Sequence, residues 1–200
     1  MNDHLKKIII LIIIITIYIG IPLSILINLI SFEYKFHALT IGGVIVYLLS
    51  ILLGFKNKDL GITNLKLFLS IKKVLPITFV LSILGIIIYL LGFSRITPNE
   101  SVLFFVFYVF VSCPIQEFLY RGVLSCYCEF FKLKIVSSAI ITSLLYSFIH
   151  IVYNDILTLV LTFMIGLIWF FNYNKSKNLL GVSISHIVLG VITILTGMIN

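Results

Sequence analysis

The stretch VLFFVFYVFVSCPIQEFLYRGVLSCY, Val102–Tyr127, decides how the chain is read. It is apolar and long enough to cross a bilayer, whose hydrocarbon core takes about 20 residues of helix. Yet it carries Gln116, Glu117 and Arg121. An Arg or Asp at the centre of a membrane helix costs about 2.5–3.5 kcal/mol on insertion scales, so such residues face a protein interior and have partners there. In a helix Glu117 and Arg121 stand at i and i+4, on one face and within reach of an ion pair. Arg121 then keeps Glu117 charged or fixes its orientation. Pro114 lacks an N–H and kinks or starts the helix there, and Gly122 lets another helix approach closely.

The rest of the chain has the same character. Of its 200 residues, 61% are hydrophobic and 10% charged, against about 45–50% and about 25% in soluble domains. Mean hydropathy is +1.24. The excess predicts an all-α fold, a polytopic transmembrane helix bundle. Seven apolar segments stand out, at 8–30, 38–55, 74–93, 102–127, 135–151, 156–171 and 179–199, for seven to eight spans. The first has a basic flank, Lys6 and Lys7, but its apolar run is too long for a signal peptide and no small-residue cleavage site follows.

The net charge of +7 has a topological reading. Basic residues gather in cytoplasmic loops. Eleven of the fourteen Lys and Arg fall at the N-terminus and in the second, fourth and sixth loops, with only Lys35 and Arg95 on the other side and Arg121 inside a span. This bias places the N-terminus in the cytoplasm and leaves no nucleic-acid partner to expect. Cys113, Cys126 and Cys128 form no CxxC and read as small apolar residues. In loop 56–73, Leu65, Phe68 and Leu69 recur at helical spacing beside Lys66, Lys72 and Lys73. That pattern predicts a short helix in the membrane interface. The chain thus divides into a three-span region, 1–100, with this interfacial loop, and a helical core, 101–200, that carries the chemistry.

Few polar residues lie inside the spans: Gln116, Glu117 and Arg121 in the fourth, His150 in the fifth, His186 in the seventh. Tyr120 stands at i+3 from Glu117. One carboxylate and two histidines from three helices can converge on a polar pocket suited to metal binding or water activation. Neither HExxH nor GxSxG occurs, so the usual zinc-helix and serine-nucleophile signatures are missing. What remains is Glu and His chemistry, either with a divalent metal such as zinc on Glu117, His150 and His186, or with no metal. A small transporter subunit is another class, because intramembrane Glu, Arg and His also mark ion and substrate paths.

The motifs QEFLYRG (Gln116–Gly122), YSFIH (Tyr146–His150) and SISH (Ser183–His186) resemble the three motifs of the type II CAAX prenyl endopeptidase family. That family (CPBP) includes bacteriocin-processing and bacteriocin-immunity "Abi" membrane proteins. Its motifs are EExxxR, FxxxH and HxxxN or HxxxD, and the resemblance runs from about Val102 to the C-terminus. It implies an intramembrane endopeptidase that hydrolyses a peptide bond of a membrane-associated peptide or protein at the lipid bilayer. Carried over, Glu117 with His150 activates water, Arg121 orients Glu117, and His186 donates to the developing oxyanion. Gln116 orients water or the peptide carbonyl, and Tyr120 and Tyr146 face the substrate. The chain departs from the pattern at two positions. Gln116 replaces the first glutamate, which in the family is taken as the base, and Gly190 replaces the Asn or Asp of the third motif. Either Glu117 takes over as base, or the chain keeps the fold as a non-catalytic immunity or partner-binding protein. The short Ile-, Lys- and Asn-rich chain suggests a bacterial cell membrane, where secreted peptides or bacteriocins are the expected substrates.

Overall fold

In lipid every backbone N–H and C=O must be bonded within the protein, which makes helices of apolar runs. The computed structural model describes residues 3–199, and it is all-helical over them. The helices are α1 (Asp3–Leu26), α2 (Lys35–Leu52), α3 (Leu67–Leu90), α4 (Val102–Phe130), α5 (Ile135–Tyr153), α6 (Ile156–Ser176) and α7 (Leu179–Leu195). The first six are long and apolar enough to cross a membrane. The seventh is apolar but shorter, 17 residues, or about 25 Å at 1.5 Å per residue. The protein is a multi-pass integral membrane protein. Its outer faces carry exposed Ile12, Phe79 and Phe110, side chains that water would reject and lipid tails accept.

The loops alternate between two ends as the charge count requires. At one end the Lys7 ammonium lies 4.3 Å from the Phe130 ring centroid, and Lys177 pairs with Glu129. Asn178, the N-cap of α7, donates to the carbonyls of Thr63 at 2.6 Å and Leu65 at 2.9 Å. At the other end Arg95 grips Asp155 with two hydrogen bonds, 3.0 and 2.9 Å. The Arg95 backbone N–H also donates to the Gly197 carbonyl at 2.9 Å.

The expected interfacial helix does not form. Residues 53–66 run as turns and bends, and Leu67, Phe68, Lys72 and Lys73 belong to the opening turns of α3 itself. Lysines are compatible with the first turns of a membrane helix because their heads can reach out to water while their stems stay apolar. Gly122 also has a different neighbour from the expected helix: the Leu60 carbonyl, at the end of that turn segment, lies 2.5 Å from where a Cβ would stand.

The central rod is α4, and it is not a uniform α-helix. Two wide π-turns, Tyr108–Ser112 and Phe118–Val123, flank the α-turn Cys113–Glu117. The Cys113 N–H reaches back five residues to the Tyr108 carbonyl, and the Leu124 N–H likewise to Leu119. Pro114 follows the first wide turn, so the missing N–H and the ring fall where the α-ladder is already interrupted. Such bulges are frequent at functional sites. Each holds one residue more than an α-turn, and together they set the phase of the five residues between them.

Candidate active site

Glu117 is fully buried, and Arg121 is 1% exposed. The Arg121 Nε lies 3.3 Å from Glu117 Oε2, the ion pair expected from the spacing. The other carboxylate oxygen, Oε1, meets His186 Nδ1 at 2.7 Å. The guanidinium sits 4.1 Å over the Tyr146 ring and 5.3 Å from Trp169, and its Nη2 donates to the Gly166 carbonyl at 3.4 Å. Aromatic faces are good cover for a buried guanidinium, since the ring quadrupole attracts cations.

From this ion pair a chain of contacts runs outward. His186 Nε2 lies 3.3 Å from the Tyr146 hydroxyl. The Tyr146 backbone carbonyl in turn meets His150 Nδ1 at 3.1 Å. A carbonyl only accepts, so His150 Nδ1 carries a proton and a neutral ring keeps its lone pair on Nε2. The His186 ring is stacked at 4.7 Å on Trp169, whose indole N–H donates to Ser185 at 2.9 Å. Ser185 meets Thr78 of α3 at 2.6 Å. Four helices therefore hold the His186 ring in one plane.

His150 and Gln116 open onto a cavity of about 450 Å³, together with Lys35, Glu100, Tyr108 and Ser112. Gln116 donates from Nε2 to the Ser112 hydroxyl at 2.8 Å, while its Oε1 is buried without a hydrogen-bond partner. That oxygen is a free acceptor on a residue that shares the cavity wall with His150. The cavity reaches residues 96–100 and the last turns of the chain, the end of the bundle that carries the Arg95–Asp155 pair.

Of the residues singled out by sequence, Glu117, Arg121, His186 and Tyr146 form one linked cluster, with His150 joined through the Tyr146 backbone and Gln116 beside it on the cavity wall. Two expectations change. Tyr120 and Tyr146 do not line the cavity. Tyr120 is packed between Tyr18 and Tyr146, with ring centroids 5.2 and 5.6 Å away, and Tyr146 is committed to Arg121 and His186. The zinc set of Glu117, His150 and His186 does not assemble either. Among the described residues no three His, Cys, Asp or Glu side chains stand where they could hold a metal. Glu117 and His186 face each other, while His150 lies beyond Tyr146. Sequence reasoning missed Tyr108, Ser112 and Trp169. Trp169 is the only tryptophan in the chain, which was the one signal available for it.

Residues 98–192 match the family model described as Type II CAAX prenyl endopeptidase Rce1-like. The match covers α4 to α7, the helices that supply every member of the cluster. No curated protein and no solved structure matches the chain.

Proposed function

From a chain whose residues 98–192 match the Rce1-like type II CAAX prenyl endopeptidase family, we propose an intramembrane peptidase that hydrolyses a peptide bond in the cavity lined by Gln116 and His150. The observation that carries this reading is the pairing of a free acceptor, Gln116 Oε1, with a histidine whose Nδ1 is tied back. A water between them donates one hydrogen to Gln116 Oε1 and the other to His150 Nε2. Its lone pair then attacks the scissile carbonyl carbon as His150 takes the proton. The C–O bond forms, the tetrahedral intermediate collapses, and the C–N bond breaks as His150 returns the proton to the leaving nitrogen. General base and acid work of this kind contributes about 10²–10⁴-fold.

In this mechanism Glu117 is a positioning residue and not the base. Its carboxylate is turned to His186 and Arg121, behind the cavity wall, and it holds His150 through the sequence Glu117–His186–Tyr146–His150. The replacement of the family's first glutamate by Gln116 then moves proton abstraction to His150. Gln116 has no basic group, but it keeps the hydrogen-bond acceptor.

The orientation supports a substrate. With the eleven basic residues on the cytoplasmic side, the cavity opens on the opposite face, towards Lys35, Asn99 and Glu100. A secreted or membrane-anchored peptide of a bacterial cell is the class that reaches such a mouth. The reading is tested with purified protein in proteoliposomes and a library of lipid-anchored peptides, products being read by mass spectrometry. Wild type yields a defined cleavage product and His150→Ala does not. Protection of cells against a bacteriocin, with no product from wild type, selects the non-catalytic immunity protein instead.

A further inference from the structure

Gly190 lies one helical turn beyond His186, on the face of α7 turned to α4. A Cβ built there would coincide with the Tyr108 hydroxyl, and would stand 2.6 Å from Tyr108 Cζ and 2.9 Å from Cε1. The phenol therefore occupies the space that a side chain at position 190 would fill. Glycine at 190 is what lets the ring lie against bare backbone.

Tyr108 is held there on several sides. Phe104, one turn earlier, stacks on its ring at 5.9 Å with an interplanar angle of 7°. The His186 ring meets it edge-on at 6.1 Å. Tyr108 also opens the first wide turn of α4 and shares the cavity wall with Ser112, Gln116 and His150. Its ring is thus fixed, with its hydroxyl over Gly190, on the wall that also carries the free acceptor and the proposed base.

We infer that Tyr108 is a catalytic residue, its hydroxyl donating to the carbonyl oxygen of the scissile bond as that oxygen becomes negative. The third motif of the resembled family puts an amide or carboxyl side chain at position 190. Here the polar group arrives from α4 and takes the same volume. The inference rests on the peptidase reading. A fixed donor aimed at a developing oxyanion commonly accounts for about 10²–10³ in kcat, because it stabilises the transition state more than the bound substrate.

The experiment uses the full chain in proteoliposomes, a peptide that wild type cleaves, and the matching phosphinic peptide, whose tetrahedral P–O⁻ imitates the intermediate. Tyr108→Phe keeps the ring and removes the donor. It is expected to lower kcat by about 10²-fold or more with KM within threefold, and to weaken the phosphinic peptide while leaving affinity for an uncleaved peptide amide unchanged. Tyr108→Ala with Gly190→Asn returns a polar group from α7, and is expected to recover at least tenfold over Tyr108→Ala alone. Activity of Tyr108→Phe within twofold of wild type, or equal loss of affinity for both ligands, overturns the role of Tyr108 and leaves the peptidase reading standing. Absence of cleavage by wild type itself removes both. Melting temperatures of the variants separate folding failure from lost chemistry. If Tyr108→Phe does not fold, Gly190→Ala serves as the second probe, since its methyl displaces the same hydroxyl, and unchanged kcat in a folded Gly190→Ala protein also overturns the inference.

Discussion

Removing Arg121 tests the buried pair at the heart of the bundle. Arg121→Met keeps an unbranched apolar stem under Tyr146 and Trp169 and deletes the guanidinium. Breaking a buried ion pair from one side typically costs about 3–5 kcal/mol, mostly because the surviving charge is left uncompensated. The structure points to the lower end. The Nε–Oε2 separation is 3.3 Å and Arg121 Nη1 has no hydrogen-bond partner, while Glu117 retains His186 at 2.7 Å. The cation–π contact at 4.1 Å adds about 1 kcal/mol. A loss of about 4 kcal/mol lowers the melting temperature of a chain this size by roughly 8–16 °C. Glu117→Gln combined with Arg121→Met removes both charges, so the double variant should be more stable than the sum of the single losses by about 1–3 kcal/mol. The assay is thermal unfolding in one detergent, followed by tryptophan fluorescence, since Trp169 lies 5.3 Å from the guanidinium. Arg121→Met melting within about 2 °C of wild type, or strict additivity in the cycle, refutes the account.

His150→Ala should lower kcat by about 10²–10⁴-fold and shift the melting temperature far less than Arg121→Met does, which kinetics and unfolding on one preparation will compare. The Arg95 hydrogen bonds, aided by Thr158, hold the Asp155 carboxyl well below the usual carboxylate range. Its contribution to stability is therefore complete above the unfolded value near pH 4 and is lost as pH falls towards the folded one. Asp155→Asn should destabilise at pH 6, and the gap to wild type should narrow at pH 3. Single cysteines introduced at Glu100 and Lys132, in a background without Cys113, Cys126 and Cys128, should react with an impermeant thiol reagent in intact cells at position 100 and not at position 132. The reverse pattern would invert the orientation used above.

Seven apolar runs were readable because hydropathy is a sum over many residues, and a few polar side chains do not erase it. Ends were less readable. Lys72 and Lys73 argued against a span, so the third was drawn from residue 74, yet α3 begins at Leu67. Glu117, Arg121, His150 and His186 were conspicuous because charge in lipid is expensive. Tyr108 and Ser112 were not, because tyrosine and serine are common in spans and only their placement makes them special. Sequence could set Glu117, His150 and His186 on three helices but not say how His150 joins His186. Tyr146, one turn before His150, supplies the link: its hydroxyl takes His186 and its carbonyl takes His150. The two π-turns had no sequence signature beyond Pro114.

Those turns have a consequence for how variants of this chain should be compared. Adjacent residues on a helix point about 100° apart, so Gln116 and Glu117 divide two environments, cavity and ion pair, between them. Each wide turn is equivalent to a one-residue insertion. Closing the first to an α-turn with the chain length unchanged would rotate the block behind it by one position, and Gln116 would take the outlook that Glu117 has now. In an alignment, a one-residue gap at 108–112 would thus mark loss of the wide turn with residues 113–117 kept in phase. Which of the two neighbours lines the cavity is decided by hydrogen-bond register, eight residues upstream of the motif that names them.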